Sequence, residues 1–318
     1  MRDVLRYLIT VVSLLLFFMS FEAASQQERF FKNRSESGIE FNYQWQSSEG
    51  LKKLKFLLPH ADIDKLPNSA PAYNSALAQN YIHRSLLGYA KAIDPREAKI
   101  SIKRSGSSLN MQVSGKESEK VNEITEALGR KHDEAEAEYL RKNYYTPFKN
   151  EMGQAAIKHD HLRYANESSH NISNIVDAIK EQLGNPSNPR EFIDFTLNWL
   201  QTIPYDTLEN RISSNGSGFA APRQLLLNNK GDCDSKSTFF LAILKSYNPN
   251  LSAEMIFLPN HALVGISLKA NKTDEKIMQN NLSYILAEPT GPAQYKLGEI
   301  APLSKMAIRN RQFTTESF

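Results

Sequence analysis

Alternating and helical apolar patterns divide the chain into two blocks. From Gly38, "GIEFNYQW" and "LKKLKFLLP" place apolar side chains at alternate positions on either side of the turn-forming "SSEG". That alternation predicts two strands with one buried face. "APAYNSALAQNYIHRSLLGYAKAI" then takes a helical period, with Tyr73, Ala76, Leu77, Tyr81 and Leu87 near one face. "AKISIKR" and "LNMQVSG", joined by "SGSS", read as a hairpin. A long amphipathic helix follows, with Val121, Ile124, Leu128, Ala135 and Tyr139 as its stripe. It stops ahead of Thr146-Pro147, as helices do before proline. This first block, residues 26–150, predicts a separate α+β accessory domain without recognisable chemistry.

The second block, residues 165–318, has a different rhythm. Just ahead of it, "AAIKHDHLRYA" reads as a strand on which His159 and His161 alternate. With no third ligand in view, these two read as surface residues rather than metal ligands. "NISNIVDAIKEQLG" is a helix with Ile172, Ile175, Val176 and Ile179 on one face and Gly184 placed to end it. "NPREFIDFTLNWLQTIPY" opens with Asn188 as N-cap, Pro189 at the first helical position and Glu191 three residues after the cap. Phe192, Phe195, Trp199 and Ile203 make its buried face. A polar loop, "DTLENRISSNGSG", leads on to "APRQLLLNNKGDC". Thr238 to Leu244, "TFFLAIL", is almost wholly apolar, which predicts a helix buried on most sides. "AEMIFLP", "HALVGISLKA" and "LSYILAEPTGP" then read as strands.

Composition removes several classes of function. A net charge of +3 with 23% charged residues gives no electrostatic footprint for nucleic acid. At the N-terminus, two arginines precede "YLITVVSLLLFFMSF" and the small-residue stretch "EAAS". This is the pattern of a cleaved signal peptide, residues 1–25, because the apolar run falls short of the roughly 20 residues a spanning helix needs. It predicts a periplasmic or secreted protein, the alternative being an inner-membrane anchor if the segment is retained.

Export sharpens the question raised by Cys233, the single cysteine among 318 residues. An exported chain with one thiol cannot use it for an internal disulfide. Its neighbours, Gly231, Asp232, Asp234, Ser235 and Lys236, are polar, and the buried helix begins at once behind them. A helix N-terminus lowers a thiol's pKa, which favours a nucleophile. Asp232 and Asp234 oppose ionisation, so a base is needed. His261 is the only histidine after Cys233, and it opens a strand. Glu288, at the end of another strand, fits the place of the group that orients the imidazole.

"GDCDSKS" before a buried helix, with "NHALVGIS" and "AEPTGP" beyond it, resembles the transglutaminase-like superfamily of papain-type folds. More narrowly it is similar to bacterial transglutaminase-like cysteine peptidases, over roughly residues 170–300. "WLQTIPYD" and "APRQLLLNNKGDC" add to the likeness. The resemblance implies an α+β fold with a papain-like core, the cysteine helix packed on an antiparallel sheet. It implies Cys233 as nucleophile, His261 as general base and acid, and Glu288 as orienting residue, where the family most often has aspartate. The oxyanion would be held by the Cys233 backbone N–H and an upstream donor, Gln201, Trp199 or Tyr205. Relatives that cleave adhesins carry acidic residues flanking the cysteine that bind calcium. Asp232 and Asp234 correspond to these, against a plain reading as helix cap and surface charge. The implied activity is cleavage of peptide or amide bonds in a protein or peptide substrate through a thioester, with no required cofactor. The alternatives are a protein-crosslinking transglutaminase and a non-catalytic binding protein that retains the fold.

Overall fold

The computed structural model describes residues 27–106, 108–149, 153–210 and 218–318. The expected signal peptide lies outside the described residues. Among those described, no helix is long and apolar enough to cross a membrane. The architecture is mixed α+β with several antiparallel sheets.

The first sheet holds β1 (Gln27–Arg34), β2 (Gly38–Ser47) and β3 (Gly50–Pro59) in that order. Strict alternation buries Ile39, Phe41, Tyr43 and Trp45 on β2 and Leu54, Phe56 and Leu58 on β3. Antiparallel register sets Phe41 opposite Phe56 and Tyr43 opposite Leu54. The apolar face so formed has a long-range partner. After α1 (His60–Ile63) and the intervening elements, α5 (Ser173–Gln182) and α6 (Pro189–Thr202) pack against it. Trp45 meets Phe195 edge-on with ring centroids 5.5 Å apart, and its Nε1–H donates to Asn198 Oδ1 at 2.6 Å. Trp199 meets Tyr43 and Phe56 in the same manner at 5.1 and 5.8 Å.

This packing corrects the expected division at residue 150. β2 and β3 keep a sheet of their own, yet they share one core with α5, α6 and the second half of the chain. The segment with its own core is shorter. It comprises α2 (Ser75–Lys91), β4 (Lys99–Ser105), β5 (Ser108–Ser114) and α3 (Ser118–Lys142), closed around Ile82, Leu86, Ile124 and Leu128. β6 (Tyr145–Lys149) and β7 (Ala155–His159) pair as a hairpin that returns the chain to the main body. The α2 stripe also differs from expectation. Asn74 accepts from the Ala76 and Leu77 N–H groups, and the helix so started buries Ala78, Ile82 and Leu86, leaving Leu77 exposed.

Local signals do fix the helices near the site. Gly184 takes φ +69° beyond α5, its N–H donates to Glu181 O and that of Asn185 to Lys180 O, the paired bonds of a Schellman cap. Asn188 caps α6 by accepting from Arg190 N–H at 3.0 Å, with Pro189 behind it. α4 (His161–Ser169), α7 (Pro222–Asn228) and α8 (Cys233–Tyr247) complete the helical layer. Every residue of α8 from Ser235 to Leu244 is buried.

The second sheet has the order β10-β11-β9-β8-β12, all antiparallel. It comprises β8 (Ala253–Leu258), β9 (His261–Ile266), β10 (Lys276–Gln279), β11 (Leu282–Ala287) and β12 (Thr314–Ser317), with α9 (Pro302–Arg309) before the last strand. A two-residue turn, Pro259–Asn260, in which Asn260 takes φ +58°, joins β8 to β9 and sets His261 at the strand's first position. α8 lies between this sheet and the α4–α7 helices.

Trp45→Ala tests the corrected division. It should cost about 3–5 kcal/mol of stability in chemical denaturation, the range for deleting a buried aromatic. A loss below about 1 kcal/mol would mean that the first sheet is not part of the main core.

Candidate active site

The cysteine turn is built by backbone pairing on one side and a helix cap on the other. Gly231 N–H donates to Pro204 O at 3.2 Å, and Asp206 N–H donates to Gly231 O at 3.3 Å. A Cβ on Gly231 would meet Leu225 and Ser235 at 3.0 and 3.1 Å, so the close approach favours glycine. Asp232 is the N-cap, accepting from Ser235 N–H at 2.9 Å and from the Ser235 hydroxyl. Ser235 Oγ in turn accepts from Ala220 N–H at 2.7 Å. Cys233 is therefore the first helical residue, 8% exposed, and lines a cavity of about 760 Å³.

His261 lines the same cavity. The residue after it, Ala262, presents its backbone N–H to the Cys233 sulfur. Ser237, one turn into α8, donates its hydroxyl to Ala262 O at 3.2 Å, which ties the helix to β9 at this level. On its far side His261 Nε2 lies 3.0 Å from Glu288 Oε1, with the ring N–H as donor to the carboxylate. That assignment leaves Nδ1 as the unprotonated, basic nitrogen. Glu288 is 4% exposed, and its second oxygen accepts from Ala301 N–H at 2.8 Å. Glutamate thus reaches the imidazole from the strand end, and the extra methylene creates no gap in the contact.

The upstream oxyanion donors fall differently from expectation. Gln201 Nε2 donates to Glu288 O and Tyr295 O, both at 2.9 Å, and its Oε1 accepts from Tyr295 N–H. Both amide protons are engaged, so Gln201 braces the backbone at Glu288 instead of facing the cavity. Trp199 is fully buried among Tyr43, Phe56 and Phe239, in the core behind α8. Tyr205 is the member of the three that lines the cavity, 54% exposed and bridged to Gly231.

His161 is the residue that sequence reasoning missed. The strand stops at His159, Asp160 caps α4 by accepting from Arg163 N–H, and His161 starts that helix. It is buried at 3% exposure, with its ring 4.9 Å from that of Phe219 and 5.7 Å from that of Phe257. Its Nε2 stands 3.6 Å from Asp234 Oδ2, while Asp234 Oδ1 is 3.5 Å from the Cys233 sulfur. The aspartate before "HLRYANESS" was the available signal, a cap that turns the second histidine inward. Lys158 adds a cation at the rim, ion-paired to Glu316 at 2.6 Å and stacked 3.5 Å from the Phe257 ring centre.

Electrostatics here run against an easily formed thiolate. Burial, and next the Asp234 and Asp232 carboxylates, push the Cys233 thiol well above its ordinary range, with the Ala262 N–H acting the other way. The lowered pKa expected from the helix N-terminus is thus outweighed. Burial and then Asp234 push Asp232 up to about 7. Burial also raises Asp234, offset by the thiol contact, Lys158 and His261. Asp234 keeps 32% of its side chain open to the cavity, so water there tempers its shift. Burial, aided by Lys158 and His159, holds His161 neutral.

Among the described residues, no three or more His, Cys, Asp or Glu side chains are gathered to hold a metal. Calcium takes six to eight oxygens, whereas Asp232 serves as a cap and Asp234 stands between a thiol and an imidazole. No family model, curated protein or solved structure matches the chain.

Asp232 yields a pH test. The folded chain keeps this proton up to about pH 7, whereas the unfolded carboxyl releases it near 3.8. Between those values the folded state binds more protons, so stability falls as pH rises through the window. Asp232→Asn keeps a capping oxygen and removes the titration. Its stability relative to wild type should therefore grow from pH 4 to pH 7 and level off above. Thermal unfolding across that range checks this, and a difference independent of pH would contradict it.

Proposed function

We propose that this protein is a thiol enzyme that cleaves peptide or amide bonds through a cysteine thioester. The observation that carries the reading is one arrangement: a lone thiol at the open end of a buried helix shares a cavity with an imidazole held by a buried carboxylate. The cysteine helix against the antiparallel sheet supports a papain-like, transglutaminase-like core, and the leader sequence supports a periplasmic or secreted location.

Cys233 attacks the substrate's carbonyl carbon while His261 Nδ1 takes the thiol proton. With the thiol protonated at rest, transfer accompanies attack and is not completed beforehand. The oxyanion formed is held by the Cys233 N–H, unpaired by its position at the helix start. Collapse breaks the carbon–nitrogen bond, and His261 returns the proton to the departing amine. Water then attacks the thioester with His261 again as base, releasing the carboxylic acid and regenerating the thiol. Glu288 keeps the imidazole in the required tautomer and steadies its charged form. A primary amine in place of water would give crosslinking by the same steps.

The test compares the wild-type chain with Cys233→Ala, His261→Ala and Glu288→Gln on a mixed protein substrate, reading new N-termini and new high-mass species by mass spectrometry. New termini that vanish in Cys233→Ala mark a peptidase; new crosslinks mark a transglutaminase. His261→Ala should slow the reaction by about 10²–10⁴-fold, the contribution of a general base. Glu288→Gln should lie between it and wild type. Identical products from wild type and Cys233→Ala would leave a binding protein that keeps the fold.

A further inference from the structure

Lysines and carboxylates line the Cys233 cavity together: Lys149, Lys158, Glu209, Asp232, Asp234 and Glu316. Lys158 and Glu316 neutralise each other at 2.6 Å, and the same ammonium lies 3.5 Å from the centre of the Phe257 ring. Asp232 is committed to the helix cap, where it accepts from Ser235. Lys149 and Glu209 are exposed at the rim, where water and salt screen them. Asp234 differs from all of these. Its Oδ1 lies 3.5 Å from the Cys233 sulfur and its Oδ2 3.6 Å from His161 Nε2. The second distance exceeds hydrogen-bond length, and burial holds that imidazole neutral, so the ring supplies no opposite charge. Among the described residues no lysine or arginine forms an ion pair with Asp234; Lys158 acts on it only at longer range.

Part of the Asp234 side chain stays open to the cavity, so a cation arriving from outside can reach it. The opposite wall shows how such a group is held, since Lys158 lies between a carboxylate and an aromatic ring. Tyr205 offers a second ring, exposed and in the same cavity, and ring faces attract cations. The contact between Oδ1 and the sulfur puts a cation bound there beside the bond that Cys233 would attack. The overall charge of +3 acts in the opposite sense, so a preference for cations at this thiol has a local origin.

We propose that Asp234 is the specificity-determining residue of this site and selects polypeptide substrates with a lysine or arginine next to the bond that is cut. The substrate's ammonium or guanidinium supplies the counter-ion that the cavity wall does not. The substrate class rests on the thiol-enzyme reading, but the charge preference at the thiol is measurable without any substrate.

The chain has one cysteine, so methanethiosulfonate reagents report Cys233 alone. The thiolate displaces methanesulfinate and forms a mixed disulfide, and the ethyl arm of the reagent carries either a trimethylammonium or a sulfonate. Rates are measured on the full chain in EDTA, which keeps divalent cations off Asp234, and are divided by those for 2-mercaptoethanol. The cation-to-anion ratio then cancels the thiolate fraction. It should favour the cation by at least about tenfold in the wild type, the effect of a carboxylate a few ångströms away on two opposite charges. Asp234→Asn should cut the ratio by about fivefold or more, whereas Glu209→Gln at the exposed rim should change it by less than about twofold. On a mixed protein substrate, the wild type should release termini with lysine or arginine beside the cut bond, and Asp234→Asn should lose that enrichment. A ratio at or below one, a ratio that Asp234→Asn leaves unchanged, or cleavage without basic enrichment would overturn the assignment. The wild-type ratio and termini need no variant, so the test survives an Asp234→Asn chain that does not fold. If the charge preference is present and no Cys233-dependent product forms, the enzyme reading falls and Asp234 remains a cation-binding group. Cleavage without the charge preference removes the specificity alone.

Discussion

The structure depends on the burial of α8 on nearly all sides. The helix is enclosed from Ser235 to Leu244, and at its N-terminal end Cys233 and Asp234 line the cavity, so the thiol is firmly placed with the cavity beside it. The sheet lies on one side of this helix and the α4–α7 layer on the other. β9 runs beside it with His261 at the end nearest the thiol, a position set by the two-residue Pro259–Asn260 turn. The first sheet completes the enclosure indirectly, through Trp199, which contacts both Phe56 and Phe239. Phe56 thereby supports the helix that carries Cys233.

Enclosure has an electrostatic cost, and the local chemistry is organised around it. The same desolvation that fixes the helix raises the thiol, Asp232 and Asp234 together. A buried imidazole on one flank and Lys158 with its Glu316 partner on the other surround these acids with groups that can share their charge. The resting thiol accordingly keeps its proton, and Glu288 holds the His261 ring beside the same cavity.

Much of this was legible along the chain, for physical reasons that also explain the failures. Strict alternation on β2 and β3, the Asn188–Pro189 start of α6, the glycine after α5 and the unbroken apolar run of α8 are local signals, and each element formed where they point. Cys233, His261 and Glu288 could be picked out because each sits at an element boundary beside a residue that fixes it. Most of what failed is non-local. Nothing in β2 or β3 says that their apolar face meets Trp199 and Phe195 more than a hundred residues later, so the block was read as a separate domain. β10 and β12 are short edge strands, recognisable only beside β11 and β8. Gln201 was credited with a cavity-facing role because its helix was known but its rotation was not; the structure turns it to the backbone of Glu288 and Tyr295. His161 was placed on a strand because the two-residue spacing from His159 outweighed the cap at Asp160.

The claim at the centre of the account is that the Cys233 thiol and the His261 imidazole work as one unit across the gap between α8 and β9. The most direct measurement is a crystal structure of the protein with Cys233 acylated or alkylated by a substrate-like electrophile. The account predicts the sulfur within about 4 Å of His261 Nδ1, near hydrogen-bond reach, with Nε2 still on Glu288. A separation beyond about 8 Å on unshifted elements would contradict it, because no proton could then pass between the two groups.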